Sequence, residues 1–452
     1  MWRSPHSEAV VSAQIIPSRT PVEVALAETF ALTRGRSDGA AVTALRDSAF
    51  ERFAAAGLPH RRVESWHYTD LRSLMRQALP TAAAPSAAAV AALRPELDAA
   101  GLDGPRLVLV DGHFVAALST PLPQGATVQP LAAVLASGEA ALLHLVTGAS
   151  LDVRDPIFAL NAALMQDGVV VDIAPGAEIE APIHVVQMSA SAAPVARFGR
   201  SLVRVGAGAK VAIAEWSLGA ANAGQVFDAL ILAVGDGARV RHTVSRAATA
   251  AGSLWIESFL ADLGAGVDFD SFALLAGDGV VRRQMFVRFG GARSKGVLGG
   301  VSLLRHRTHA DTTLFVDHVG EGCESRETFR HILDEGATGV FQGKLRVAPG
   351  AQKTDGKMMS RALLLSEDAA MNNKPELEIF ADDVACGHGA TCGGLNEEQI
   401  FYLRSRGIPR AEAEALLLEA FAAELVDAIG EPALVARLRG EVSEWLGRRA
   451  RD

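Results

Sequence analysis

The feature that most constrains this chain is a Gly-Ala pair that keeps returning beside short β-branched runs. It occurs at Gly176-Ala177, Gly208-Ala209, Gly237-Ala238, Gly264-Ala265, Gly291-Ala292, Gly336-Ala337 and Gly350-Ala351. The first intervals are 32, 29, 27 and 27 residues. A turn signal at a near-constant period marks stacked coils, because each coil needs a corner where Gly reaches φ > 0 and Ala fits a narrow interior. The runs themselves, at 107–110, 169–173, 183–186, 202–205, 211–214 and 240–244, have the length and side chains of strands. No amphipathic helix separates successive runs, which argues against a doubly wound sheet. The pattern predicts a β-helix over 105–394, with a helical interruption near 131–165. An antiparallel sandwich is the alternative that pattern alone leaves open.

Helical patterns flank this region. At the N-terminal side, 22–32 and 42–56 carry apolar residues at three and four spacing. Glu64-Ser-Trp-His-Tyr-Thr-Asp-Leu-Arg72 reads as a packed turn entering a helix over 71–77. The alanine-rich run 82–92 reads as a linker or a surface helix. From Asn396 the helical period returns, with a capping-box spacing from Asn396 to Gln399. Gly407 ends that helix and Pro409 opens the next, over 410–429, where Leu417, Phe421, Leu425 and Ala428 form one apolar stripe. A last helix is expected over 433–446. The expected division is 1–104, 105–394 and 395–452, with the C-terminal helices either capping the open end of the solenoid or presenting a stripe to a partner.

Charge and cysteine usage exclude several classes of function. The 452 residues hold 43 Lys and Arg against 52 Asp and Glu, a net charge of −9, which disfavours nucleic acid and anionic membrane surfaces as partners. Three cysteines cannot staple a chain this long and point to a reducing compartment. The opening residues 1–14 lack an apolar leader, and no run reaches the length of a membrane span, so the expected location is the cytoplasm. Phosphate loops, nucleophile elbows and H-E-x-x-H motifs are missing, and Gly206-Ala-Gly208 lies between strands, where no helix N-terminus can receive phosphate.

Three clusters could carry chemistry. In Asp382-Asp-Val-Ala-Cys386-Gly-His388-Gly-Ala-Thr-Cys392, Cys386 and His388 are two apart and project to one face of an extended strand. Thiolate with imidazole suits zinc or iron, yet the C-x-H-x-x-x-C spacing is not a standard zinc site and lacks a fourth ligand. Either a partner completes an incomplete metal site, or the cysteines are small buried hydrophobes and His388 makes a structural hydrogen bond. His306, His309 and His318, with Asp311, Asp317 and Cys323, form a second cluster. There His306 and His309, taken as residues of one strand, face opposite sides, which favours hydrogen bonding over a metal. The third is a run of seven Arg and Lys over 282–307, read as a solvated solenoid face balanced by acids on neighbouring coils.

Longer motifs carry a resemblance. Lys353-Thr-Asp-Gly-Lys357, Asn373-Lys-Pro-Glu-Leu-Glu-Ile379, Asp382-Asp-Val384, His388-Gly-Ala-Thr391 and Phe401-Tyr-Leu-Arg-Ser-Arg-Gly-Ile408 closely resemble the SufB/SufD family of iron–sulfur cluster assembly proteins. The runs from His309 to Lys344 resemble the same family, and Glu64-Ser-Trp-His-Tyr-Thr69 favours its SufD branch. The resemblance implies a right-handed parallel β-helix core between N-terminal and C-terminal helical domains. It implies a non-catalytic scaffold in a complex with SufB, paired through the β-helix edges, and with the ATPase SufC, docked on the C-terminal helices around Phe401, Tyr402, Arg404, Arg406, Leu417 and Phe421. His388 falls on the histidine implicated in building the nascent cluster at the SufB–SufD interface, with Cys386 its neighbour, and Ser360 stands about where SufB has its cysteine. No tightly bound cofactor is implied, only a transient iron–sulfur cluster, and a homodimer is possible in isolation. Two other readings are a polysaccharide-acting β-helix enzyme, for which Asp262, Asp268 and Asp270 are the only close acids, and a self-assembling structural solenoid.

Overall fold

The computed structural model describes residues 19–33, 39–148, 151–219, 222–247 and 249–449, so the segment read for a leader lies outside the described residues. The repeat of the Gly-Ala corners becomes the pitch of a parallel β-solenoid in which the chain alternates between two sheets. Sheet I stacks Arg106–Val110, Ile183–Met188, Lys210–Ser217, Arg239–Arg246, Asp268–Leu275, Lys295–Leu304, Glu324–Leu333, Asp355–Leu364 and Ala385–Gly393. Sheet II stacks Val169–Ile173, Arg200–Val205, Gln225–Val234, Leu254–Leu263, Val280–Phe289, His309–His318, Thr338–Val347 and Ala370–Ile379. Neighbours within each stack are parallel, which excludes the sandwich. Short antiparallel partners, His113–Phe114 and Ala126–Pro130, close the N-terminal end.

Register keeps equivalent residues in columns. Arg239, Asp268, Lys295, Glu324, Asp355 and Ala385 are successive partners, 29, 27, 29, 31 and 30 residues apart. The corner glycines serve two different needs. Gly237 has φ +68°, and its N–H donates to Ala265 O at 2.7 Å while Ala238 is fully buried behind it. Gly291 does not take a left-handed φ, but a Cβ there would overlap the backbone nitrogen of Ala265 on the preceding coil. The expected φ > 0 therefore holds at Gly176, Gly208, Gly237 and Gly336, close approach of coils explains Gly264 and Gly291, and Gly350 meets neither demand.

Inward residues fill the lumen between the sheets, and most are apolar, such as Leu298, Leu314, Phe329, Phe341 and Leu345. In the middle coils the filling is ionic. Glu215 pairs with Arg246 at 2.9 Å, Arg246 with Glu257 at 2.9 Å, and Glu257 also with Arg283, all four buried. His242 bonds Glu215 at 2.9 Å and Ser271 at 3.0 Å.

The helical segments cover the outer faces of the sheets. Helices Pro21–Thr33 and Ala40–Ala56 pack with Pro156–Leu164, whose first turn is capped by Asp155. The interruption contains Leu131–Ser137, Ala140–Val146 and Pro156–Leu164. The helix expected over 71–77 is one turn, Leu71–Leu74, because buried Met75 continues in extended conformation (φ −94°, ψ 91°). The alanine-rich run leads into a surface helix, Ala87–Ala99, capped by Ser86.

At the C-terminus Asn396 caps Glu397–Ser405, accepting from the N–H groups of Glu398 and Gln399. Arg410–Asp427 and Pro432–Arg449 then lie on the outside of sheet I, with Leu418, Ala422, Leu438 and Trp445 packed near Leu303 and Ile332. These helices do not cap the open end. The buried stripe of Arg410–Asp427 is Ala413, Leu418, Ala422 and Val426, rotated by about one residue from the expected one, and Ala428 is exposed. The helix is wedged between a sheet and another helix, so two surfaces rather than one select its buried face.

Candidate functional site at the open end of the solenoid

Ala385–Gly393 is the last strand of sheet I and Ala370–Ile379 the last of sheet II, and among the described residues each pairs on one side only. Gly356, Met358, Ser360 and Ala362 are the register partners of Cys386, His388, Ala390 and Cys392. Those four partners are buried in the lumen, so Cys386 and His388 share the inward face of the terminal strand. Cys386 is half-buried, while His388 and Cys392 are exposed at the mouth. Cys323 lies apart, buried at a corner with its Sγ 3.2 Å from Gly291 O. Ser360 is buried one strand in, bonded to Asn373 Oδ1 at 2.6 Å.

Burial pushes the Cys386 thiol up, and the charges of Asp355 and Glu327 push it the same way against a backbone hydrogen bond from Gly356. An incoming metal must therefore displace the thiol proton. Among the described residues no three His, Cys, Asp or Glu side chains converge as a metal site. This chain offers a thiol and an imidazole on an unpaired edge, and a complete site needs donors from elsewhere. Beside the mouth Ile379 and Phe380 are exposed, Phe380 by 58 %. Unpaired strand ends with exposed apolar side chains can template further pairing.

The other expected contact residues lie on the C-terminal helices. Phe401 and Tyr402 are 74 % and 58 % exposed, on a helix that buries only Ile400. Arg404 and Arg406 are exposed beside them, with the Arg406 guanidinium 5.2 Å from the Tyr402 ring centroid. Leu417 is half-buried. Phe421 faces sheet I, where Arg330 lies 4.9 Å from its ring centroid and pairs with Glu424 at 2.5 Å. Phe421 thus ties its helix to the sheet.

The remaining clusters disperse. His306 sits in a corner turn with φ +55°, not in a strand, and pairs with Glu335 at 2.7 Å. His309 bonds Thr69 Oγ1 at 2.9 Å, and His318 is buried, stacked on Phe289 with ring centroids 4.5 Å apart. Cations of the basic run pair with acids on neighbouring coils: Arg283 with Glu257, Arg282 with Asp311, Arg288 with Asp262 at 3.5 Å and Lys295 with Glu324 at 3.0 Å. Asp268 and Asp270 are likewise engaged with Arg241. The three acids of the glycan-enzyme reading thus carry arginine partners and lie on two different sheets.

Sequence reasoning missed the polar residues behind the mouth. Ser325, Glu327, Phe329 and His331 alternate inward along Glu324–Leu333, and all are buried. Burial pushes Glu327 up to about 7 and His331 down to about 3. The period-two spacing of Glu327 and His331 was a visible signal, but their burial depends on coils distant in sequence.

An elongated two-sheet solenoid with an unpaired end bearing a thiol and an imidazole defines the class of protein. Comparisons with known proteins give its family. The sequence matches the SufBD core domain of the SUF system for FeS cluster assembly over residues 186–421 and the SufBD protein N-terminal region over residues 32–185. It is 31 % identical to an iron–sulfur cluster assembly SufBD family protein of Synechocystis over 428 residues, covering 91 % of this chain and 93 % of that one. It is 29 % identical to the iron–sulfur cluster assembly protein SufD of Escherichia coli, covering 86 % and 90 %. With SufD of Bacillus subtilis the identity is 27 %, covering 60 % and 62 %. The chain belongs to the SufB/SufD family of iron–sulfur cluster assembly proteins. No helix of the described residues is long and apolar enough to cross a membrane.

Proposed function

We propose that this chain is a non-catalytic scaffold subunit that pairs with SufB through the unpaired strands Ala370–Ile379 and Ala385–Gly393 and carries SufC on its C-terminal helices. The observation that supports it most is the incomplete donor pair, Cys386 and His388, on the open edge of the last coil. The iron–sulfur cluster is the cargo, and the partner's edge supplies the missing donors. An imidazole nitrogen is a more labile hold on iron than another thiolate, which suits a scaffold that must release what it builds.

The C-terminal helices offer a route for coupling. Exposed Phe401 and Tyr402 give SufC an aromatic surface. Arg330 links the helix Arg410–Asp427, through Glu424 and Phe421, to strand Glu324–Leu333, two strands from the mouth. ATP-driven movement of SufC pulls on that helix and shifts the terminal strands, opening the pairing at His388. The test is His388→Ala: folding and SufC binding stay intact while cluster assembly by the complex falls. Undiminished assembly in that variant removes His388 from the mechanism.

A further inference from the structure

Glu327 is fully buried, and among the described residues no hydrogen bond of good geometry reaches either carboxyl oxygen, although Ser325 and the charge of Arg326 act on it weakly against the effect of burial. Its side chain is directed into the lumen, as its neighbours on the same strand face show. Ser325 bonds His318 of sheet II at 2.9 Å, and the Phe329 ring lies 4.8 Å from Phe341 of sheet II. The cations beside it in sequence are committed elsewhere, Arg326 to Asp355 at 2.8 Å and Arg330 to Glu424. A buried carboxyl without a cation is costly, and a fold keeps one at little benefit to stability.

Its place in the register is specific. Glu327 pairs with Met358, and Met358 pairs with His388, so the three share one inward column ending at the open mouth. Met358 is buried and leans toward sheet II at Gly343, where a Cβ would overlap its sulfur. The Met358 thioether therefore separates the buried carboxyl from the exposed imidazole, and Cys386 lies beside it on the terminal strand. Two strand spacings amount to about 10 Å. Carboxylate, thioether, thiol and imidazole in sequence form a graded set of donors suited to a borderline-soft divalent ion.

We infer that the lumen behind His388 is a transit site for a divalent transition-metal ion, with the Glu327 carboxylate as its charged donor and the Met358 thioether beside it. The identification of that ion as ferrous iron rests on the assembly reading above. Glu327, Cys386 and His388 do not converge on one point, so the ion is held weakly and passed outward rather than stored. On binding, the carboxyl releases its proton to solvent and the ion supplies the missing counter-charge.

Cobalt(II) is the probe, titrated into the full chain without sulfide and followed by equilibrium dialysis and visible absorption. The wild type binds a weak cobalt ion that Glu327→Gln, lacking the charged donor, no longer binds, with an unchanged or higher melting temperature. Met358→Leu, which keeps the shape and removes the sulfur, weakens the same ion. Glu327→Gln binding cobalt as tightly as wild type overturns the inference, as does a wild type that binds none. If His388→Ala abolishes assembly while Glu327→Gln binds cobalt normally, the transit site falls and the scaffold reading stands. If Glu327→Gln loses cobalt while His388→Ala assembles clusters normally, the transit site stands and the role of His388 falls.

Discussion

The guanidinium of Arg282 lies 3.9 Å over the indole ring of Trp66. Arg282 also pairs with buried Asp311 and donates to Ser65 O at 2.7 Å, while Trp66 Nε1 donates to Asp155 at 2.8 Å. Gln342 reaches Ser65 O at 3.1 Å, and Lys374 reaches Glu64 at 2.8 Å. The segment from Glu64 to Thr69 thus crosses sheet II from Arg282 to Lys374 and clasps four successive coils. Trp66→Ala empties a fully buried site and leaves Arg282 without its aromatic face. Urea unfolding should show a loss of about 3–5 kcal/mol, and a loss under about 1 kcal/mol would mean that the segment is not an anchor.

The ionic filling of the lumen predicts a second loss. Arg246 and Arg283 hold the Glu257 carboxyl below its ordinary range even though burial alone would raise it. Glu257→Gln leaves buried Arg283 without its paired carboxylate and Arg246 with Glu215 alone. It should cost about 3–5 kcal/mol by chemical denaturation, and the effect should be smaller in a background where Arg283, whose ion pair is with Glu257, is already Met. Equal costs in the two backgrounds would show that the pair is not coupled.

Stability should fall on both sides of an optimum, for opposite reasons. Burial depresses His318 to about 4 and His331 to about 3 from an ordinary 6.5. The unfolded chain takes up these protons first, so their contribution is complete above about pH 6.5 and is lost as pH falls toward 4 and 3. Glu327 is raised from 4.5 to about 7. Its contribution is complete below about pH 4.5 and is lost as pH rises through 7. Melting temperature against pH should therefore flatten on the acid side in His331→Phe and on the neutral-to-alkaline side in Glu327→Gln. Unchanged slopes in both variants would show that these groups titrate alike in the folded and unfolded chain.

The sequence reveals most where one coil repeats the last. The Gly-Ala period locates the solenoid because successive coils are of nearly equal length, and Asn396 and Gly407 mark a helix through local capping alone. What could not be read depends on neighbours about 30 residues away or more. Gly237 and Gly291 look alike in sequence, yet one serves a left-handed turn and the other a coil-to-coil contact. Cys386 and His388 stand out as a pair from their spacing, but their placement at an open mouth requires knowing that no later strand covers them. Glu327 shares the period-two face of Ser325, Phe329 and His331, but its burial without a paired cation is a fact of the lumen.

The proposed scaffold role between SufB and SufC is tested most directly by co-purification. The tagged full chain is co-expressed with SufB and SufC from the same source, beside a Phe401→Ala, Tyr402→Ala double variant whose changes lie on the exposed helix. A three-component complex with ATPase activity, from which the double variant loses SufC while retaining SufB, is the predicted result. A wild-type chain that elutes alone, with neither partner, would contradict the account.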